Sequence, residues 1–156
     1  MITINVVAVG NLKEKFWEDA VKEYTKRIGA YAKINIVEIK ESVYGNSAKE
    51  IEIAKQKEAE KLKKYMQGYC VALEVKGETY TSEGFAEHIE NLSNKGVSTI
   101  NFFIGGSYGL DQTFSKQLNE NMSFSKFTFP HQLMRVILLE QIYRAFTIIN
   151  NKTYHK

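Results

Sequence analysis

The chain has 156 residues, 44% hydrophobic and 25% charged, with one proline, which fits a single globular domain with a sizeable core and excludes a disordered chain. Its net charge is +3, too small by itself to mark a nucleic-acid binder, and no apolar run of about 18 residues is present to span a membrane. The one cysteine, Cys70, excludes an intrachain disulfide and fits a reducing cytoplasm.

The start, Met1-Ile-Thr-Ile-Asn-Val-Val, lacks the basic flank and cleavage site of a signal peptide. Ile2 to Val9 is a β-branched run that predicts a first strand, stopped by the turn pair Gly10-Asn11. Residues 14–28 predict a helix with Trp17, Ala20, Val21, Tyr24 and Ile28 on one stripe. Lys33 to Ile39 alternates with period two, a second strand, and residues 41–46 read as a polar turn. Ser47-Ala-Lys-Glu50 has the form of a capping box and opens a helix to about Gln67, with Ile51, Ala54, Ala59, Leu62 and Met66 inward. Its other face holds six lysines and four glutamates and reads as solvated, with RNA contact the alternative.

Tyr69 to Val75 predicts a third strand ended by Lys76-Gly77, and Ser82 can cap a helix over 83–94. Ser98 to Ile104 predicts a fourth strand that runs into Gly105-Gly-Ser-Tyr-Gly109. A short helix near 111–119, a fifth strand at Met122 to Phe127 and a long helix from 131 to about 150, after Pro130, complete the chain. Strands separated by helices predict one α/β domain over residues 1–156, a mostly parallel sheet flanked by helices.

Charge is unevenly placed. Residues 123–156 carry Lys126, Arg135, Arg144, Lys152 and Lys156 against Glu140 alone, a net of +4, beside an acidic stretch at 68–122. One face for a polyanion is implied, with chance scatter the alternative.

His88, His131, His155 and Cys70 make no metal-ligand spacing, and there is no phosphate loop or nucleophile elbow. Aspartate occurs only at 19 and 111, which disfavours the common hydrolases and kinases; Cys70 reads as a small core residue. Three segments are positive signals. The loop Gly105 to Gly109 follows an apolar strand, where parallel sheets bind ligands, or is a plain tight turn. Ser123-Phe-Ser-Lys-Phe-Thr-Phe-Pro-His131 interleaves three phenylalanines with hydroxyls, suited to a flat heterocycle or a nucleobase, or to core packing. The helix from Gln132 to Phe146 is apolar nearly all round, which implies burial against a second copy of the chain. Within it Glu140 and Arg144 can pair at i,i+4, whereas Arg135 has no such partner and is free to meet an anion. The end, Asn150 to Lys156, combines Tyr154, His155 and two lysines, a frayed terminus or an RNA contact.

Together these segments closely resemble the RlmH family of bacterial 23S ribosomal RNA methyltransferases. The likeness runs from Ala8-Val-Gly-Asn-Leu-Lys13 through Ile104-Gly-Gly-Ser-Tyr-Gly-Leu110 to Tyr154-His-Lys156, and is most specific from Ser123 to Phe146. Departures are Asn11, where a lysine is common, and Thr153, where proline is frequent. The resemblance implies a SPOUT-type α/β fold with a C-terminal trefoil knot, a homodimer and S-adenosylmethionine as cofactor. By position it implies cofactor contacts at Leu73, Ile104, Gly105, Gly109, Phe124, Ser125, Lys126, Phe127, Thr128 and Phe129. The implied reaction is methylation of N3 of a pseudouridine in helix 69 of 23S rRNA, on assembled ribosomes, without a metal. An imide N3–H must lose its proton or have its anion stabilised. His131 and His155 are the candidate proton acceptors or relays, Arg135 a charge stabiliser or phosphate grip and Tyr154 a stacking or hydrogen-bonding group, with hydroxide through a water chain the alternative base. Ribose 2′-O-methylation and a ribosome-binding module without catalysis are the alternatives.

Overall fold

In the computed structural model, which describes residues 1–156, the predicted alternation folds as five strands and five α-helices. Their order is β1 (Thr3–Val9), α1 (Lys15–Ile28), β2 (Lys33–Ile39), α2 (Ala48–Leu62), β3 (Tyr69–Thr79), α3 (Ser82–Asn94), β4 (Thr99–Ile104), α4 (Gln112–Ser115), β5 (Glu120–Ser123) and α5 (His131–Ile149). The strands form one parallel sheet in the order β2-β1-β4-β3-β5. Parallel pairing needs crossover connections, and these cover both faces.

Alternate residues therefore feed two cores. Ile4, Val6 and Ala8 of β1 join Ile100, Phe102 and Ile104 of β4 beneath α1, α3 and α5. Val7, Val9 and Phe103 point the other way, against Ala59 and Leu62 of α2 and Phe114 of α4. Asn5 is paired in register with Asn35 and Asn101, and their side-chain amides form a ladder of 2.8 Å bonds across three strands. A one-residue slip would break that ladder and reverse both faces, so the amides fix the register.

Five boundaries differ from the sequence expectation, each for a local reason. Thr81, not Ser82, caps α3, its Oγ1 accepting from Gly84 N at 2.9 Å. The helix α2 stops at Leu62 and passes into a 3₁₀ turn at Lys63–Tyr65, after which Gly68 takes a positive φ. β3 continues through Gly77 to Thr79, with a register shift between Leu73 and Glu78. A Cβ on Gly77 would lie 2.6 Å from the Met122 backbone, so the missing side chain lets β5 approach. β5 ends at Ser123 instead of running to Phe127, because Ser123 Oγ accepts from Ser125 N and Ser125 Oγ accepts from Phe127 N. The predicted helix 111–119 is a single turn, capped by Asp111. On α2, Glu58 is 6% exposed and not part of the solvated face.

Helix α5 packs between α1 and α3. Leu138, Leu139, Ile142, Ala145 and Phe146 are buried and Val136 packs against the same core, whereas Leu133 and Ile137 stay half-buried outside it.

Candidate functional site

A cavity of about 690 Å³ opens where β4 ends, beside the middle of β3 at Leu73 to Lys76, between the loop 105–110 and the segment 122–131. Strand ends of parallel sheets are the usual ligand position, and the volume lies in the small-molecule range. Leu73, Ile104, Leu110, Met122, Phe124 and Phe129 give it apolar walls, and Ser125 and Thr128 add hydroxyls. The glycine loop is folded tightly on itself, with Gly109 N donating to Gly106 O at 3.0 Å. A Cβ on Gly105 would lie 2.4 Å from the Gly109 carbonyl carbon, and Gly109 itself has φ +83°. Glu41, from the turn after β2, accepts from Ser107 N at 3.2 Å and so fastens the loop from outside. Below it, buried Glu58 accepts from Ser42 N at 2.9 Å, and burial pushes the Glu58 carboxyl up.

Of the cofactor contacts expected from the sequence, Leu73, Ile104, Gly105, Gly109, Phe124, Ser125, Phe127, Thr128 and Phe129 all line this cavity; Lys126 does not. His131 lines it too, at the first position of α5. Its ring lies beside Gly10, whose Cβ position is 3.4 Å from His131 Cε1, and its Nδ1 is buried without a partner. The expectation of a free Arg135 is corrected. Arg135 is 0% exposed, donates from Nη1 to Glu38 Oε2 at 2.6 Å and from Nη2 to Gly10 O at 3.0 Å. Glu38 Oε2 also accepts from Leu12 N, and Gln132 Oε1 accepts from Lys13 N at 2.9 Å. Arg135 thus holds the turn 10–13 against the start of α5, where His131 sits. Parallel register sets Glu38 opposite Ala8, two residues before Gly10, a relation that only strand pairing creates.

The remaining candidates form a second group. Glu140 Oε1 receives Arg144 Nη2 at 2.6 Å and the Tyr154 hydroxyl at 3.0 Å. The Arg144 guanidinium lies 4.8 Å from the Tyr154 ring centroid. Arg144 Nη1 is 3.1 Å from His155 Nδ1, and His155 Nε2 is 2.6 Å from Glu83 Oε1. Arginine can only donate, so Nδ1 accepts and the imidazole N–H is on Nε2, toward Glu83. That bond holds the Glu83 carboxyl below its ordinary value. Burial and the bond to Glu140 push the Tyr154 phenol up to about 12. The tail is therefore docked, not frayed. Glu83 was invisible to sequence reasoning, since nothing in a helix start signals a partner 72 residues away.

Within one chain the two groups are apart. Thirteen residues of α5 separate His131 from Arg144, roughly 20 Å at the helical rise of about 1.5 Å per residue, and neither Tyr154 nor His155 lines the cavity. No group of three or more His, Cys, Asp or Glu is placed to hold a metal ion, and no helix is long and apolar enough to cross a membrane.

An open parallel sheet with a glycine loop and an apolar cavity at its strand ends defines a small-molecule- or cofactor-binding α/β protein. Comparison with known proteins narrows the class. The family model described as "Predicted SPOUT methyltransferase" matches residues 2–155. A Clostridium botulinum protein named ribosomal RNA large subunit methyltransferase H is 46% identical over 159 residues, covering 99% of this chain and 100% of that protein. A Methanococcus vannielii protein is 49% identical with the same coverage. Among solved structures, a methylase family protein of Haemophilus influenzae matches 98% of this chain and 70% of that chain with a TM-score of 0.58 at 10% identity, a likeness of fold alone. The chain belongs to the SPOUT methyltransferase family, within the group of ribosomal RNA large subunit methyltransferase H.

Proposed function

We propose that this chain transfers a methyl group from S-adenosylmethionine to N3 of a pseudouridine in helix 69 of 23S rRNA, on assembled ribosomes in the cytoplasm. The observation that carries the proposal is the cavity, in which nine of the ten cofactor positions implied by the sequence resemblance meet His131. Its apolar walls suit a flat heterocycle, and its backbone-lined glycine loop and the hydroxyls of Ser125 and Thr128 supply hydrogen-bonding groups. When bound, the cofactor supplies an electrophilic methyl group on a sulfonium.

The chain's own residues then have separate tasks. His131, on the cavity wall, is the candidate acceptor for the imide proton. Arg135 is a positioning residue that holds the Gly10 turn behind His131. Tyr154 keeps its proton at neutral pH, with its phenol at about 12, so it acts as a hydrogen-bond donor or stacking ring and not as a base. His155 is the second candidate base, a role that needs its Nδ1 released from Arg144.

The active form is a homodimer. The half-buried Leu133 and Ile137 of α5 and the exposed Phe16 of the adjoining α1 supply its contact face. Pairing also offers Tyr154 and His155 a cavity on the partner copy, which their own copy does not. Family membership supports a trefoil knot in the C-terminal part.

The test is calorimetry with S-adenosylmethionine, followed by transfer of labelled methyl to ribosomes from a strain lacking the protein. Cofactor binding with label in 23S rRNA is expected. Label in transfer RNA would overturn the substrate, and absence of cofactor binding would favour a binding module. Deleting Tyr154 to Lys156 should impair transfer while cofactor affinity survives.

A further inference from the structure

The cavity has a rim that its apolar floor does not account for. Tyr108, on the glycine loop, and Phe127, on the facing segment, both line it, yet they are 56% and 77% exposed. Large aromatic side chains left this open bury little of their area against their own chain. Two ammonium groups share the rim, Lys55 from α2 and Lys76 from β3. Glu74 is the one carboxylate among the lining residues, and its Oε1 is already taken by Gln112 Nε2 at 3.0 Å.

Unpartnered rings beside cations suit unpaired nucleotides. Any base can stack on a flat ring, and ammonium groups hold the phosphates between bases. The contact face of a second copy does not suit these two rings, because it would bring the same lysines to the rim; the part of a partner offered to the cavity is only the tail with Tyr154 and His155. The apolar side of α5, with Leu133 and Ile137 left outside the core, is the better self-contact.

We infer that Tyr108 and Phe127 stack a nucleobase of the RNA substrate at the mouth of the cavity, with Lys55 and Lys76 on the adjoining phosphates. This deepens the RNA reading above and rests on it. It keeps the Phe127 backbone among the cofactor positions and gives the exposed Phe127 ring, which the alanine variant removes, to the nucleic acid; it also gives Lys55, on the lysine-rich helix α2, a task in substrate binding.

The experiment compares Tyr108→Ala, Phe127→Ala and the pair Lys55→Gln/Lys76→Gln with wild type. It measures methyl transfer to ribosomes from a strain lacking the protein, S-adenosylmethionine affinity by calorimetry, and oligomeric state by sedimentation. Each ring variant should raise KM for ribosomes by about ten-fold or more, while cofactor affinity and oligomeric state stay at their wild-type values. The lysine pair should flatten the dependence of log KM on log salt by roughly 1.5. A matching loss of cofactor affinity would return the rings to the cofactor, and a shift to monomer would make the rim a self-contact. Either result overturns the inference, as does an unchanged KM.

A wild-type chain that transfers no methyl group contradicts the proposed reaction, and the rim is then read separately. A single-stranded oligoribonucleotide carrying 4-thiouridine, cross-linked by light, should attach to the peptides holding Tyr108 or Phe127. Attachment elsewhere, or none, would overturn the rim.

Discussion

Replacing Gly105 by alanine isolates the geometry on which the cavity depends. The added Cβ would lie 2.4 Å from the Gly109 carbonyl carbon and 2.7 Å from Gly109 O and Leu110 N. Ordinary contact begins near 3.4 Å, so backbone must move by about 1 Å, and every atom struck belongs to the loop that lines the cavity. Overpacking of this kind costs about 1–3 kcal/mol. Because the obstacle is backbone and not a flexible side chain, the upper part of that range applies, about 2–3 kcal/mol. For a domain of this size that is a fall in Tm of roughly 4–12 °C.

Gly96→Ala is the matched control. Gly96 also has positive φ, at +91°, but nothing lies within 4 Å of its Cβ position. Only the left-handed penalty of about 1–2 kcal/mol applies there, a Tm loss of roughly 2–8 °C. Thermal melting by circular dichroism and calorimetry with S-adenosylmethionine separate the two. Gly105→Ala should lose both stability and at least ten-fold in cofactor affinity, at roughly 1.4 kcal/mol per decade. Gly96→Ala should lose stability alone. A Gly105→Ala protein with wild-type cofactor affinity would refute the reasoning, since the loop would then be shown not to shape the site.

Other expectations follow from the paired and buried groups. Arg135→Ala removes the bonds to Glu38 and Gly10 O and should cost about 2–3 kcal/mol in urea denaturation, less than a fully buried pair because Glu38 can still be solvated. Arg135→Lys should recover only part, since an ammonium does not reproduce the planar fork, and an unchanged midpoint for the alanine variant would contradict the positioning role. The Tyr154 phenol, raised from 10.0 to about 12, contributes stability that is complete below pH 10 and is lost as pH rises toward 12. Absorbance titration at high pH should show one fewer phenol ionising near pH 12 in Tyr154→Phe; loss of one that ionises near 10 instead would contradict the docked tail. Glu58 has its carboxyl raised from 4.5, chiefly by burial, so the fold favours its protonated form. Its contribution is present below pH 4.5 and falls as pH rises through the raised value. Glu58→Gln, still able to accept from Ser42 N, should therefore gain on wild type in Tm as pH rises from 4 to 7; a constant difference would show that burial does not disfavour the charge.

The alternation of strands and helices was legible because both periods are strong in the sequence: Ile4, Val6 and Ala8 against Val7 and Val9, and the α1 stripe. The glycine loop and the segment 123–131 were legible as a site because their compositions are unusual and each follows a strand. What escaped depends on pairing across the fold. Arg135 has no partner visible in the sequence because Glu38 reaches it only through the β1–β2 register. Glu58 was read as solvated because its surroundings are set by the turn at Ser42, which a helical wheel does not contain. Glu41 and Glu83 carry no signal of their own in a polar turn and a helix start. The docking of the tail likewise rests on contacts 72 and 14 residues distant in sequence.

One measurement tests the proposed reaction most directly. Ribosomes from a strain lacking the protein are incubated with it and methyl-labelled S-adenosylmethionine, and nucleosides from the 23S rRNA are separated by mass spectrometry. Label is expected on the base of a single pseudouridine, at N3, in helix 69. Label on a ribose 2′-oxygen, at another nucleotide, or in no RNA despite bound cofactor would contradict the proposed reaction.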